Sequence, residues 1–132
     1  MLPTAAPHPD AVELRCWTLD SFRGLRGLRD ALRDTVATAA GGVSDRIAVV
    51  ATELATNALR HGTAPTVVRL RRIDDRLIID VADHDLTTTP QLADDRPIGA
   101  GGLGLQLTRS SAAELGWYAT DVTKHVWASF PS

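Results

Sequence analysis

The sequence predicts an α+β fold: a two-layer sandwich in which a mixed, mainly antiparallel sheet carries its helices on one face. Three observations lead there. Short strand-like segments open the chain, fill its middle and close it, and helical periodicity separates them in the order β-α-α-β-β-loop-α-β-β. The middle pair, residues 66–73 and 76–82, is joined only by Asp74-Asp75, which has the length and chemistry of a tight hairpin. A chain of 132 residues, 44 % hydrophobic and 23 % charged, suits one domain with one core.

Composition also narrows function. Net charge is −2, which makes no global electrostatic case for nucleic acid or an anionic membrane. Cys16 is the single cysteine, so an internal disulfide is excluded and a reducing compartment fits. No apolar run reaches membrane-spanning length, and residues 1–10 lack the positive start and apolar core of a signal peptide. The expectation is a cytoplasmic protein.

Residues 1–10 hold three prolines and no periodicity, and read as a disordered N-terminal tail before a single domain over 11–132. Residues 11–19 alternate as a strand, with Val12, Leu14, Cys16 and, by extension, Thr18 on one side. Asp20 or Ser21 caps a helix over about 21–39, with Phe22, Leu25, Leu28, Leu32 and Val36 as its apolar stripe. Gly24 and Gly27 each weaken that helix by about 1 kcal/mol relative to alanine, so its first half needs tertiary support. Arg23, Arg26, Arg29 and Arg33 form a basic ridge. Such a ridge is usually a solvated face; the alternative is a docking surface for an acidic partner.

The next helix, Ser44 to Gly62, has both ends marked. Ser44 can cap it, Asp45 suits the positive end of its dipole, and Arg60 and His61 suit the negative end. Gly62 can supply a left-handed stop. Ile47, Val50, Leu54 and Ala58 make its buried face. Thr66–Ile73 and Arg76–Ala82 then read as sheet strands. From Asp83 to Gly101 the pattern vanishes, and a loop this long suits a lid. Gly102–Leu115 opens a third helix, and Gly116 stops it. Trp117–Thr120 and His125–Phe130 close the chain as strands around an Asp121–Lys124 turn.

Glu53 and Asn57 lie four residues apart, on one side of their helix and at the border of its apolar face. Taken alone, such a pair is more often a half-exposed polar edge. It also suits a metal–nucleotide site, because asparagine offers a carbonyl oxygen to magnesium and glutamate can take a proton. Gly99-Ala100-Gly101-Gly102-Leu103-Gly104 contains the spacing G-x-G-x-x-G. It lacks the preceding strand of a dinucleotide fingerprint and the Gly-Lys-Ser/Thr of a Walker loop. It remains either a hinge or a helix start whose backbone N–H groups favour an anion. His8, His61, His84, His125 and Cys16 show no close-spaced zinc pair, and no G-x-S-x-G elbow is present.

In this order the features are Glu53-Leu-Ala-Thr-Asn57-Ala-Leu-Arg-His61-Gly62, then Ile78-Ile-Asp-Val-Ala-Asp83, a loose lid, Gly101-Gly102-Leu-Gly104-Leu105, and finally Gly116-Trp117 and His125-Val-Trp127. The chain so described resembles the Bergerat-fold (GHKL, histidine-kinase-like) ATPases over about residues 11–130. Within that superfamily it looks like the anti-sigma-factor serine/threonine kinases of divergent actinobacterial type. The resemblance implies that ATP and Mg2+ bind. Asn57 would hold the magnesium and Glu53 would be the general base. Asp83 would accept a hydrogen bond from the adenine amino group, while Gly102, Gly104 and Leu105 would form the second glycine box. Residues 84–101 would be the ATP lid. The implied activity is phosphorylation of a serine on an anti-anti-sigma (STAS) partner, together with sequestration of a sigma factor by a homodimer. A catalytically inactive module that regulates by partner binding alone is the alternative. Three features depart from the family pattern: Asp85 replaces a glycine, His125 replaces a small threonine expected on the adenine side, and Arg96 is the lid's only cation.

Overall fold

The computed structural model describes residues 10–40, 44–74, 76–87 and 114–131. In chain order they form β1 (Val12–Leu19), a 3-10 turn (Phe22–Gly24), α1 (Leu25–Ala40), α2 (Ser44–His61), β2 (Thr66–Ile73), β3 (Arg76–Asp83), β4 (Glu114–Ala119) and β5 (Lys124–Pro131). The strands make one sheet in the order β1-β2-β3-β5-β4. Every pairing among the described strands is antiparallel, and with the two helices they make the α+β fold with a mainly antiparallel sheet that the sequence predicts. The β2–β3 hairpin has Ile73 opposite Arg76, and Asp74 adopts φ 49°. A two-residue turn that matches strand twist requires that left-handed backbone, and aspartate tolerates it better than most residues.

Alternation along β3 assigns the two faces of the sheet. Leu77, Ile79 and Val81 join Val68 and Leu70 of β2 and Ala128 and Phe130 of β5 in the core under the helices. Ile47, Val50, Ala51, Leu54 and Ala55 of α2 enter that core, and Leu28 and Leu32 of α1 complete it. Burying each large aliphatic side chain contributes about 1.5–3 kcal/mol. Leu25 is partly buried against the core, Phe22 is 52 % exposed and leaves the expected stripe, and the Val36 side chain is outside the described set.

Three sequence expectations change. First, β1 turns its other side inward. Trp17 and Leu19 stand opposite Val68 and Thr66 and face the helices, while Val12, Leu14, Cys16 and Thr18 are exposed, and the register shifts between Glu13 and Arg15. An edge strand is free to make such a shift. Second, the chain enters α1 through the 3-10 turn, with Ser21 Oγ accepting from the Arg23 N–H at 3.4 Å. Gly24 is there for close approach, since a Cβ would lie 2.5 Å from Leu19 Cδ2. Third, Glu114 and Leu115 open β4 instead of ending a helix, and Gly116 lies inside the strand. A Cβ on Gly116 would meet the Trp127 ring at 2.7 Å, so the glycine serves the sheet and not a helix stop.

Candidate functional site

Helix α2 builds one side of the site. Its alanines (Ala48, Ala51, Ala55 and Ala58) are buried at or below 9 % exposure. Their small size lets the helix lie close to the sheet. Glu53 and Asn57 fall one turn apart on its half-buried flank. The helix ends with the Gly62 N–H donating to Ala58 O at 2.8 Å. Gly62 does not take the expected left-handed conformation; the glycine answers a need for space. A Cβ there would lie 2.5 Å from both Cγ and Oδ2 of Asp83, and 2.7 Å from Ala58 O.

Asp83 is the last residue of β3 and only 4 % exposed. Its Oδ1 accepts the Asp85 backbone N–H at 2.7 Å, and its Oδ2 lies 3.8 Å from Lys124 Nζ. Lys124 stands directly opposite Asp83 in the sheet and is 7 % exposed. The same ammonium lies 4.0 Å from Asp85 Oδ2, so two carboxylates share one cation. Asp85 Oδ1 accepts the Thr87 N–H at 2.9 Å and the Thr87 hydroxyl. The His84 N–H donates to Thr63 O at 3.1 Å, which ties the chain after β3 to the chain after α2. The end of the Glu53–Asn57 helix and the end of the Asp83 strand are thus joined at one point.

His125 is elsewhere. It pairs with Ala82, and its side chain lies on the sheet face away from the core and from Asp83, not on the adenine side that the resemblance implies for this position. There its Nδ1 is 2.7 Å from Asp80 Oδ1 and its Nε2 is 2.7 Å from Thr123 Oγ1. Tyr118 stacks on the imidazole with ring centroids 4.4 Å apart and donates its hydroxyl to Asp80 Oδ2 at 2.8 Å. Arg71 Nη1 stands 3.7 Å from the same oxygen. Burial, and then the Asp80 carboxylate, push the Tyr118 hydroxyl well above the usual tyrosine range. This network fully buries Asp80 and is separate from the Asp83 site.

Asp83, Asn57 and Glu53 are therefore placed by described elements, whereas Gly102, Gly104, Leu105 and lid residues 88–101 lie outside the described residues. Lys124 falls where the sequence predicts a turn, which hides it as a site residue. Its signal was parity: Lys124, Val126, Ala128 and Phe130 alternate toward the helices. The donors fit a magnesium nucleotide. Asn57 and Glu53 offer hard oxygen atoms, and the missing Cβ of Gly62 leaves the Asp83 carboxylate room. Among the described residues no group of three His, Cys, Asp or Glu could hold a metal ion.

A family model for the histidine kinase-like ATPase domain matches residues 20–130. The chain belongs to that family, which implies ATP binding, usually with Mg2+. A search of curated proteins returned no match. No described helix is long and apolar enough to cross a membrane.

Proposed function

We propose that this protein is an ATP-dependent serine/threonine kinase that phosphorylates an anti-anti-sigma partner of the STAS type, and that as a homodimer it sequesters a sigma factor. The observation that supports this reading most is the junction of Gly62 and Asp83. It sets a buried carboxylate at the end of the helix that carries Glu53 and Asn57. In this reading Asp83 accepts a hydrogen bond from the adenine amino group and Asn57 holds magnesium against the phosphates. Bound Mg-ATP supplies the phosphoryl group and its charge neutralisation. Glu53 would accept the proton of the attacking serine hydroxyl as that oxygen takes the terminal phosphoryl group, whose bond to the β-phosphate oxygen breaks and releases ADP. Glu53 lies on the half-buried flank of α2 and is not enclosed in the core, as this role requires.

Calorimetric titration with Mg-ATP tests the pocket, and phosphotransfer to candidate STAS proteins tests the chemistry. Asn57→Ala and Asp83→Ala should each weaken binding. Glu53→Ala should leave binding in place and abolish phosphoserine formation on the partner. Normal transfer by Glu53→Ala would remove the general-base role. A folded protein that binds a partner stably without nucleotide and without phosphorylating it would instead be the inactive regulatory module.

A further inference from the structure

We propose that Lys124 and Asp85 act as a positioning pair, holding the Asp83 carboxylate as an open acceptor for the amino group of the nucleotide base. This deepens the nucleotide reading above and rests on it. The sequence presents Asp85 as a liability, an extra carboxylate where the resemblance expects glycine. The structure gives it a different task. Its Oδ1 is turned to Thr87 and its Oδ2 to Lys124. Asp83 needs a cation nearby, because a carboxylate at 4 % exposure is costly unless its charge is compensated. Lys124 supplies that charge from the neighbouring strand.

A lysine alone would create a second difficulty. An ammonium that closed to hydrogen-bond distance on Oδ2 would compete with the base for the oxygen that Gly62 leaves room for. The observed separation of 3.8 Å is an ion pair without a direct hydrogen bond. Asp85, at 4.0 Å, draws the ammonium back by a comparable attraction. Oδ1 is meanwhile committed to the Asp85 N–H at 2.7 Å, which fixes the plane of the carboxylate. Oδ2 is left compensated in charge but open to a donor. Lys124 and Asp85 are thus positioning residues that act through Asp83.

The test compares ATP with purine riboside triphosphate, which has the same phosphates and lacks the base's amino group. Both are titrated calorimetrically against the wild-type chain and Asp85→Asn, an isosteric change whose side-chain oxygen can still accept from Thr87. In the variant the ammonium closes on Asp83. ATP binding should fall about tenfold, the worth of a hydrogen bond to a charged group, while analogue binding stays within about twofold. If Asp85 instead acts by repelling phosphates, Asp85→Asn will tighten both nucleotides, and the proposal is overturned. An equal loss for both would mark a general structural role and overturn it too. Lys124→Met should likewise erase the preference for ATP, with thermal melting as the check on folding; Asp85→Asn decides the matter even if that variant does not fold. A wild-type chain that binds neither nucleotide would sink the nucleotide reading and this proposal together. Wild-type preference for ATP that survives Asp85→Asn would sink the proposal alone.

Discussion

Gly62→Ala is the sharpest test of how α2 and β3 form the site. A glycine that merely ended a helix with φ in the normal range would accept alanine at no cost, or with a small gain from reduced chain entropy. The geometry predicts the opposite sign. The new methyl would lie 2.5 Å from Cγ and Oδ2 of Asp83 and 2.7 Å from Ala58 O. The carbonyl is helix backbone and cannot yield, so the carboxylate must retreat by about 1 Å to reach an ordinary contact distance. It is held there by the Asp85 N–H and by Lys124, both of which the retreat would disturb. Overpacking of this kind costs about 1–3 kcal/mol, read as a lower urea midpoint at unchanged slope. The displaced carboxylate would also lose its contact with the base. Mg-ATP affinity should then fall roughly ten- to a hundredfold in calorimetry, the worth of a hydrogen bond to a charged acceptor. A Gly62→Ala protein with wild-type stability and ATP affinity would refute the packing argument. One that is destabilised yet binds ATP normally would show that the junction supports the fold and not the pocket.

The two glycines near the start of α1 should respond differently. Gly27→Ala, with nothing near its Cβ position, should stabilise by about 0.5–1 kcal/mol, whereas Gly24→Ala, which meets only the terminal Cδ2 methyl of Leu19, should lose that gain or cost up to about 1 kcal/mol in urea unfolding. His125→Thr removes the imidazole from fully buried Asp80, and should cost about 1–3 kcal/mol in stability while leaving Mg-ATP affinity within about twofold of wild type. The Tyr118 hydroxyl titrates higher in the folded protein than in the unfolded chain, so its contribution is fully present below the unfolded value of about 10 and is lost as pH rises through the folded one. Tyr118→Phe should therefore flatten part of the stability loss between neutral and strongly alkaline pH, and identical wild-type and variant profiles would contradict the assignment.

The helix that carries Glu53 and Asn57 was legible because its periodicity, acidic start and basic end all agree, and its observed bounds are Ser44–His61. The hairpin was legible because two β-branched runs meet at two aspartates, one of which takes the left-handed backbone. What the sequence did not reveal depends on contacts between distant residues. Gly116 looked like a helix stop, yet its cause is Trp127 on the neighbouring strand. Gly62 looks like a left-handed cap, yet its cause is Asp83, packed against it from the end of β3. Phe22 and Val12 fit apolar patterns, yet a 3-10 turn and a place at the end of an edge strand leave them at the surface. A glycine in a sequence signals either a backbone need or a spatial one, and only the partner tells them apart.

The two acidic groups of β3 show how one strand serves two purposes. Asp80 and Asp83 are an odd number of positions apart, so the pleat must send them to opposite faces. The neighbouring strand repeats the division, with Lys124 toward Asp83 and His125 toward Asp80. Slipping β5 by one residue would exchange them, placing an imidazole where an ammonium must balance two carboxylates. Register therefore matters more to the site than the identity of any residue on the far face. The contacts that pin it are found there: Trp127 against Gly116, Tyr118 stacked on His125, and the Asp80 carboxylate accepting from Tyr118. The far-face network thus bears on the pocket without touching it. It holds β5 where Lys124, and not its neighbour, meets Asp83.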